Sequence, residues 1–155
     1  MKLILFIFTL LYSNLSLAKE WTFDAILNDK LIGQHTFIYK DDKTLSQANF
    51  EFEYFFMDFI YQHKSTETWD GNCLKSITSN TDDDGEIYDV DGRLGLDGFV
   101  VSSNNKTTKL PLCIMTFSYG NPKILEQKKL MNAQSGEYLD AVSYTHLRAH
   151  ETRHD

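Results

Sequence analysis

The chain has 155 residues, with 22 Asp and Glu against 15 Lys and Arg, which gives a net charge of −7. This charge argues against nucleic acid or an anionic membrane surface as a partner, because both require basic patches on a protein. The 11 Phe and 8 Tyr, together with only 2 Pro, suit a large pleated sheet.

The N-terminus has the pattern of a cleavable signal peptide over residues 1–18. Lys2 precedes an apolar run from Leu3 to Tyr12, and Ser16-Leu17-Ala18 puts small residues at the positions that a signal peptidase reads. The run is about half as long as the roughly 20 apolar residues of a bilayer span, so it does not predict a membrane anchor. The sequence therefore predicts an exported protein that resides in an oxidising space.

The C-terminus is interpreted as non-native over residues 141–155. The stretch from Val142 to Thr152 resembles a translated sequencing adapter along its whole length. This tail holds three of the 5 histidines, which are therefore not treated as metal ligands: His146, His150 and His154. Residues 19–140 then form a single β-rich domain that is truncated at its C-terminus and carries 12 basic and 20 acidic residues.

Alternating apolar and polar residues predict a succession of short strands. They cover residues 21–27, 31–39, 45–56, 59–69, 74–81, 87–94, 99–103 and 107–110. Asn121 followed by Pro122 is typical of a helix start and predicts one short helix near 122–130. The predicted fold is mainly β, an antiparallel meander that forms a strongly curved sheet or an incomplete β-barrel.

The 2 cysteines, Cys73 and Cys113, lie far apart in the sequence. Because an exported chain meets an oxidising environment, we predict that they form one structural disulfide. A redox pair would need Cys-x-x-Cys, and two Cys alone do not make a zinc site. Closing this loop stabilises the fold by about 3–4 kcal/mol in the chain-entropy model.

One acidic stretch resembles a calcium-binding loop, and calcium is the one cofactor that the sequence suggests. Gly85 takes the sixth place, and the oxygen ligands are Asn80, Asp82, Asp84, Glu86 and Asp91. Asn in the first place and Asp in the last depart from the usual pattern, and the flanks have strand character. The alternative, which we favour, is a hairpin in which Asp84-Gly85 supplies the turn and the acidic side chains are solvated.

His35, His63 and Glu67 are the candidates for a metal site or an acid–base pair. His63 and Glu67 share one face of a strand but stand about 13 Å apart at ~3.3 Å per residue, so they cannot hold one ion together without a bulge. His35 completes such a site only if its strand lies beside that of His63. The alternative, which we favour, is that both histidines are hydrogen-bonded inside a polar-lined barrel.

A set of aromatic residues on the predicted strands would line a pocket for an apolar small molecule or lipid. Its members are Phe37, Tyr39, Phe50, Phe52, Tyr54, Phe59 and Tyr61. Aromatic residues on strands more often form plain core, and that alternative stays open.

Several segments between Trp21 and Glu137 occur in a familiar order. The most specific are Glu67-Thr68-Trp69 with Cys73-Leu74, and Asn132-Ala133-Gln134-Ser135-Gly136-Glu137. Together they resemble a bacterial family of exported proteins catalogued as domain of unknown function 6134, although Gly120 departs from the Trp that is usual there. The resemblance implies a periplasmic β protein whose activity is unassigned and whose chain continues past Asp140.

The sequence leaves three functions open. The favoured one is a non-enzymatic exported protein that holds an apolar or lipid-like ligand or serves envelope maintenance. The second is a hydrolase or metal-dependent enzyme that uses His35, His63 and Glu67, and the third is a structural or assembly role. No oligomeric state is predicted.

Overall fold

The computed structural model describes residues 18–141, so the predicted signal peptide and nearly all of the predicted non-native tail lie outside the described residues. Eight strands of this part form one sheet in chain order. Their bounds are β1 Lys19–Leu27, β2 Lys30–Lys40, β3 Lys43–Tyr54, β4 Met57–Asp70, β5 Cys73–Asp83, β6 Glu86–Leu94, β7 Phe99–Ser103 and β8 Lys106–Leu110. Every neighbouring pair is antiparallel, which confirms the predicted meander.

The sheet is open, because β1 and β8 are its two edges and do not pair with each other. The predicted barrel is therefore not closed within the described residues. Short turns join the strands, and Asn28-Asp29 and Asn104-Asn105 have positive φ at both central residues. This conformation matches the twist of a two-residue hairpin, and Asn and Asp tolerate it better than most residues.

The turn between β3 and β4 differs from the prediction. The sequence pattern extends a strand through residue 56, but β3 ends at Tyr54 and the chain reverses at Phe55-Phe56, with φ of 49° and 64°. Both Phe side chains are exposed there. Positive φ is uncommon for bulky residues, so the alternating pattern gave no sign of a turn at this place.

The hydrophobic core lies at the β5–β8 end of the sheet. It contains Leu74, Ile77, Val90, Phe99, Val101, Leu110, Ile114 and Met131. Gly92 makes room for one of these side chains, because a Cβ atom at this position would stand 2.6 Å from the Phe99 ring.

Residues 111–141, which we call the strap, run back over the face of the sheet that carries this core. The predicted disulfide between Cys73 and Cys113 anchors the beginning of the strap to β5, with Cα atoms 4.8 Å apart. A backbone bond of 2.9 Å from Leu74 N to Ile114 O continues this attachment. The strap also contains the short strands β9 Lys129–Met131 and β10 Tyr138–Asp140, which pair with each other.

The predicted helix near 122–130 is shorter than expected. Asn121 accepts a hydrogen bond from Lys123 N and Pro122 follows it, as the sequence indicates, but the helix is a 3₁₀ turn over Pro122–Glu126. Lys129 already belongs to β9, because pairing with Tyr138–Asp140 replaces further helical bonds. No helix among residues 18–141 is long and apolar enough to cross a membrane.

Candidate functional site

The two candidate histidines lie in one row of cross-strand partners, that is, residues paired side by side on successive strands. His35 on β2 pairs with Ala48 on β3, and Ala48 pairs in turn with His63 on β4. The strands of the two histidines are thus separated by β3, so the condition under which His35 would complete a site with His63 is not met. Because antiparallel partners point to the same face, both imidazoles project from one face, with only the Ala48 methyl group between them.

Each imidazole is held by a hydroxyl group. His35 Nε2 lies 2.7 Å from Ser46 Oγ on β3. His63 Nδ1 lies 2.7 Å from Thr81 Oγ1 on β5, and both of these residues are buried. The hydrogen-bonded histidines that we favoured from the sequence are therefore observed, and each ring keeps one further nitrogen for another partner.

Burial keeps both histidines neutral at pH 7. It lowers the pKa of His63 to about 4, and the neighbouring His35 contributes to this lowering. Burial also lowers the pKa of His35. The pair therefore offers hydrogen-bonding groups without positive charge.

Glu67 lies further along β4 on the same face and is only 3% exposed. It pairs with Thr44 on β3 and Ile77 on β5, and the ladder between His63 and Glu67 is regular. The separation of about 13 Å at ~3.3 Å per residue therefore stands, and the two groups do not form a catalytic pair by direct contact.

The Glu67 carboxyl has no ionic partner among the described residues. Burial raises the pKa of Glu67 to about 7, and the Thr116 hydroxyl opposes part of that rise. The contact between them falls short of hydrogen-bond geometry, so Thr116 Oγ1 is a buried hydroxyl with no partner in the described part of the chain. Such groups are rare in folded proteins and call for an explanation.

These groups surround a cleft of about 350 Å³ between the sheet and the strap. Its sheet wall includes His35, Ser46, His63, Ser65 and Glu67. Its strap wall is formed by residues 116–119 and 132–134 together with Leu139. Ser79 Oγ donates a hydrogen bond to the Ala133 carbonyl and so ties this wall to β5.

A model of the family described as domain of unknown function (DUF6134) matches residues 23–153. The chain belongs to the DUF6134 family. No curated protein and no solved structure matches it. The family resemblance inferred from the sequence is thereby confirmed, while the function has to be argued from the site itself.

The predicted aromatic set falls into two groups in this DUF6134 chain. Phe37 and Tyr39 stack on each other and contact rings on β1 and the strap. On the other side of the cleft, stacked pairs with ring centroids 5.4 and 5.3 Å apart form what we call the aromatic strip: Phe50 with Tyr61, and Phe52 with Phe59. Tyr54 is the last residue of β3, and its side chain lies outside the described part of the structure.

The aromatic strip continues directly from the cleft. Tyr61 also contacts the His63 ring, with 6.5 Å between centroids, and its hydroxyl donates to Gln134 on the strap. Phe59, Tyr61 and His63 alternate along β4, so they share one face. All four rings of the strip are only half-buried.

The acidic stretch forms a β-hairpin and does not adopt the conformation of a calcium-binding loop. Asp84 and Gly85 have φ of 53° and 89°, and Asp82 accepts a hydrogen bond from Gly85 N at 2.7 Å. Asn80 bonds across the ladder to Asp89, and Asp91 pairs with Thr78, four residues along β5 from Asp82. The five proposed oxygen ligands are therefore spread along the hairpin instead of surrounding one point. Within residues 18–141 no group of three or more His, Cys, Asp or Glu is placed to hold a metal ion.

Sequence reasoning missed Ser46, Thr81 and Thr116 as site residues. Isolated Ser and Thr are common in strands, so residue type alone gave no signal. A correct strand register would have placed Ser46 and Thr81 on the histidine face. Thr116 could not be found in this way, because the strap lacks any repeating pattern.

Proposed function

We propose that this chain is an exported periplasmic protein that binds a lipid-like ligand on the strap side of its sheet. The observation that carries the proposal is the continuity between a polar cleft and the half-exposed aromatic strip. Binding sites commonly combine an apolar lining with a few placed polar groups. The apolar run before Ala18 and the disulfide support the assignment to an oxidising compartment.

The strip suits the hydrocarbon part of such a ligand. The distance along β4 from His63 in the cleft to Phe59 at the far end of the strip is about 13 Å at ~3.3 Å per residue. Stacked aromatic pairs offer flat apolar surface, and burying that surface under an acyl chain releases water. The cleft would then receive the polar end of the same molecule.

Binding of a fluorescent acyl-chain probe to the purified domain tests this proposal. Phe59→Ala should weaken binding about tenfold, since removing the contact of one ring costs on the order of 1–2 kcal/mol. Ile60→Ala is the matched control, because Ile60 is exposed on the opposite face of the same strand. Equal effects of the two variants, or no binding by the wild-type protein, would contradict the proposal and leave the structural role as the better one.

A second candidate, a hydrolase, rests on the contact of 2.7 Å between Ser46 Oγ and His35 Nε2. A neutral imidazole in this position can accept the hydroxyl proton as Ser46 attacks an ester carbonyl. In this hydrolase Ser46 is the nucleophile and His35 the base. Glu67, which the sequence suggested as a third member, takes no part, because it lies in another row of cross-strand partners. Turnover of a chromogenic acyl ester that is lost in Ser46→Ala and kept in Ser65→Ala would support it, since Ser65 is the partner of Ser46 on β4.

A further inference from the structure

The polar end of the cleft contains no cationic side chain. Among the described residues that line it there is no Lys or Arg, and the one carboxyl group is that of Glu67. An anionic head group would therefore be buried beside a carboxyl group with no positive charge to pair with it. Burying an unpaired charge costs several kcal/mol, so the cleft disfavours phosphate, sulfate and carboxylate head groups.

The Thr116 hydroxyl is the clearest sign of a missing partner. Thr116 is 1% exposed, and its Oγ1 atom has no hydrogen-bond partner among the described residues. The position of this residue is fixed, because it forms a parallel bridge with Met131 and Met131 N bonds to Met115 O at 2.8 Å. The unsatisfied hydroxyl therefore points to a bound group that supplies a hydrogen-bond acceptor.

Two further groups, both on the sheet wall of the cleft, can act as donors. When the Thr81 hydroxyl donates to His63 Nδ1, the neutral ring carries its proton on Nε2. Glu67 holds a proton up to about pH 7 because burial raises its pKa to about 7. A protonated carboxyl group donates one hydrogen bond, so the cleft can present three donors and no net charge.

We propose that the cleft selects an uncharged carbonyl group, as found in acyl esters and amides, with the Thr116 hydroxyl and the adjacent Glu67 carboxyl group as its donors. The attached acyl chain then lies along the aromatic strip. This inference rests on the proposed lipid binding and specifies its ligand class. A carbonyl oxygen has two lone pairs, and the ester or amide around it supplies further acceptor capacity.

Competition against the fluorescent acyl-chain probe at pH 6 separates the head groups. The competitors share one chain length: a monoacylglycerol, an alkyl sulfate, an alkyltrimethylammonium salt and the plain alkane. The three amphiphiles are used below their critical micelle concentrations and the alkane below its solubility limit. The monoacylglycerol should displace the probe at a concentration at least about tenfold lower than the two charged compounds.

Two variants connect this preference to Thr116. Thr116→Val should weaken monoacylglycerol binding about tenfold and leave alkane binding unchanged, whereas Thr116→Ser keeps the hydroxyl and should bind like the wild type. If the alkyl sulfate or the ammonium salt competes as well as the ester, the carbonyl inference is wrong while lipid binding stands. If the wild type binds neither the probe nor any competitor, the proposed function itself fails.

Discussion

His63 Nδ1 and Thr81 Oγ1 lie 2.7 Å apart across the ladder between β4 and β5, and both side chains are buried. The bond positions a neutral imidazole in the cleft, and burial opposes its protonation by lowering its pKa to about 4. The pKa of Glu67, which lies on the same face of β4, is shifted in the opposite direction, to about 7. These two groups make the stability of the protein depend on pH in opposite ways.

Whether the free energy of unfolding rises or falls with pH depends on which state, folded or unfolded, binds the proton more tightly. The pKa of His63 falls from 6.5 to about 4 on folding, so the unfolded chain is protonated first and the free energy of unfolding rises with pH in that window. The pKa of Glu67 rises from 4.5 to about 7, so the free energy of unfolding falls with pH in that window. At 1.36 kcal/mol per pKa unit each effect is on the order of 3 kcal/mol, so they largely offset each other.

Glu67→Gln should reveal the histidine contribution. Denaturant unfolding between about pH 4.5 and 6.5 should show a free energy of unfolding that rises with pH by about 2 kcal/mol more than in the wild type. His35 faces His63 and acts in the same direction, since burial lowers its pKa as well. His63→Gln should shift the profile the other way, so that stability falls with pH more steeply than in the wild type.

Glu51→Gln is the control for this experiment, because it removes one negative charge from the exposed face of β3. A profile that responds equally to Glu51→Gln and Glu67→Gln would mean that net charge, and not the buried group, sets the pH dependence.

The unpartnered hydroxyl of Thr116 predicts a stabilising substitution. Thr116→Val has nearly the same shape and removes a buried polar atom that has no described partner, so the ligand-free protein should gain about 1 kcal/mol. Thr116→Ser keeps the hydroxyl and loses a buried methyl group, so it should lower stability. Denaturant midpoints of the two variants measured side by side check this, and a loss of stability in Thr116→Val would show that the hydroxyl has a partner in solution.

The strand order was predictable from sequence because local patterns determine it. The period of two places Phe23, His35, Phe37 and similar residues on one face of the sheet, and Asp84-Gly85 or Asn104-Asn105 supply hairpin turns. Phe55-Phe56 was not predictable, because aromatic residues at positive φ contradict the rule that places Gly, Asn or Asp there. The 3₁₀ turn at Pro122–Glu126 ends early because strand pairing, which no local pattern reveals, competes with helix continuation.

The site was harder to predict than the fold for the same reason. His35 and His63 were recognised by residue type, but their relation depends on the register through Ala48 on the intervening strand. The contact between Glu67 and Thr116 joins a strand to the strap over a long sequence separation. Such contacts follow from tertiary packing, so a single sequence shows the candidate residues without the geometry that joins them.

The disulfide should stabilise both the fold and the cleft. Cys73 and Cys113 are 40 residues apart, and closing a loop of this length is worth about 4 kcal/mol in the chain-entropy model. Reduction, or the double variant Cys73→Ala/Cys113→Ala, should lower the free energy of unfolding by about that amount. The strap carries Thr116 only three residues after Cys113, so probe binding should weaken as well. An unchanged denaturant midpoint after complete reduction would show that the strap is held by its other contacts alone.

The hairpin between β5 and β6 provides a test that separates a turn from a calcium site. Asp82 accepts the hydrogen bond from Gly85 N, so Asp82→Ala should cost about 1 kcal/mol of stability, and the cost should be the same with millimolar calcium or a chelator. Asp91→Ala removes another proposed ligand, but Asp91 is exposed and its bond with Thr78 is long at 3.4 Å, so its effect should stay below about 0.5 kcal/mol.

A cation bound to the folded state would instead raise the denaturation midpoint of the wild type by mass action, and both variants would abolish that rise. Because the ladder separates Asp91 from Asp82 by four strand positions, one ion could join them only if the hairpin opened, and the calcium-dependent result would therefore also require a change in the β5–β6 pairing.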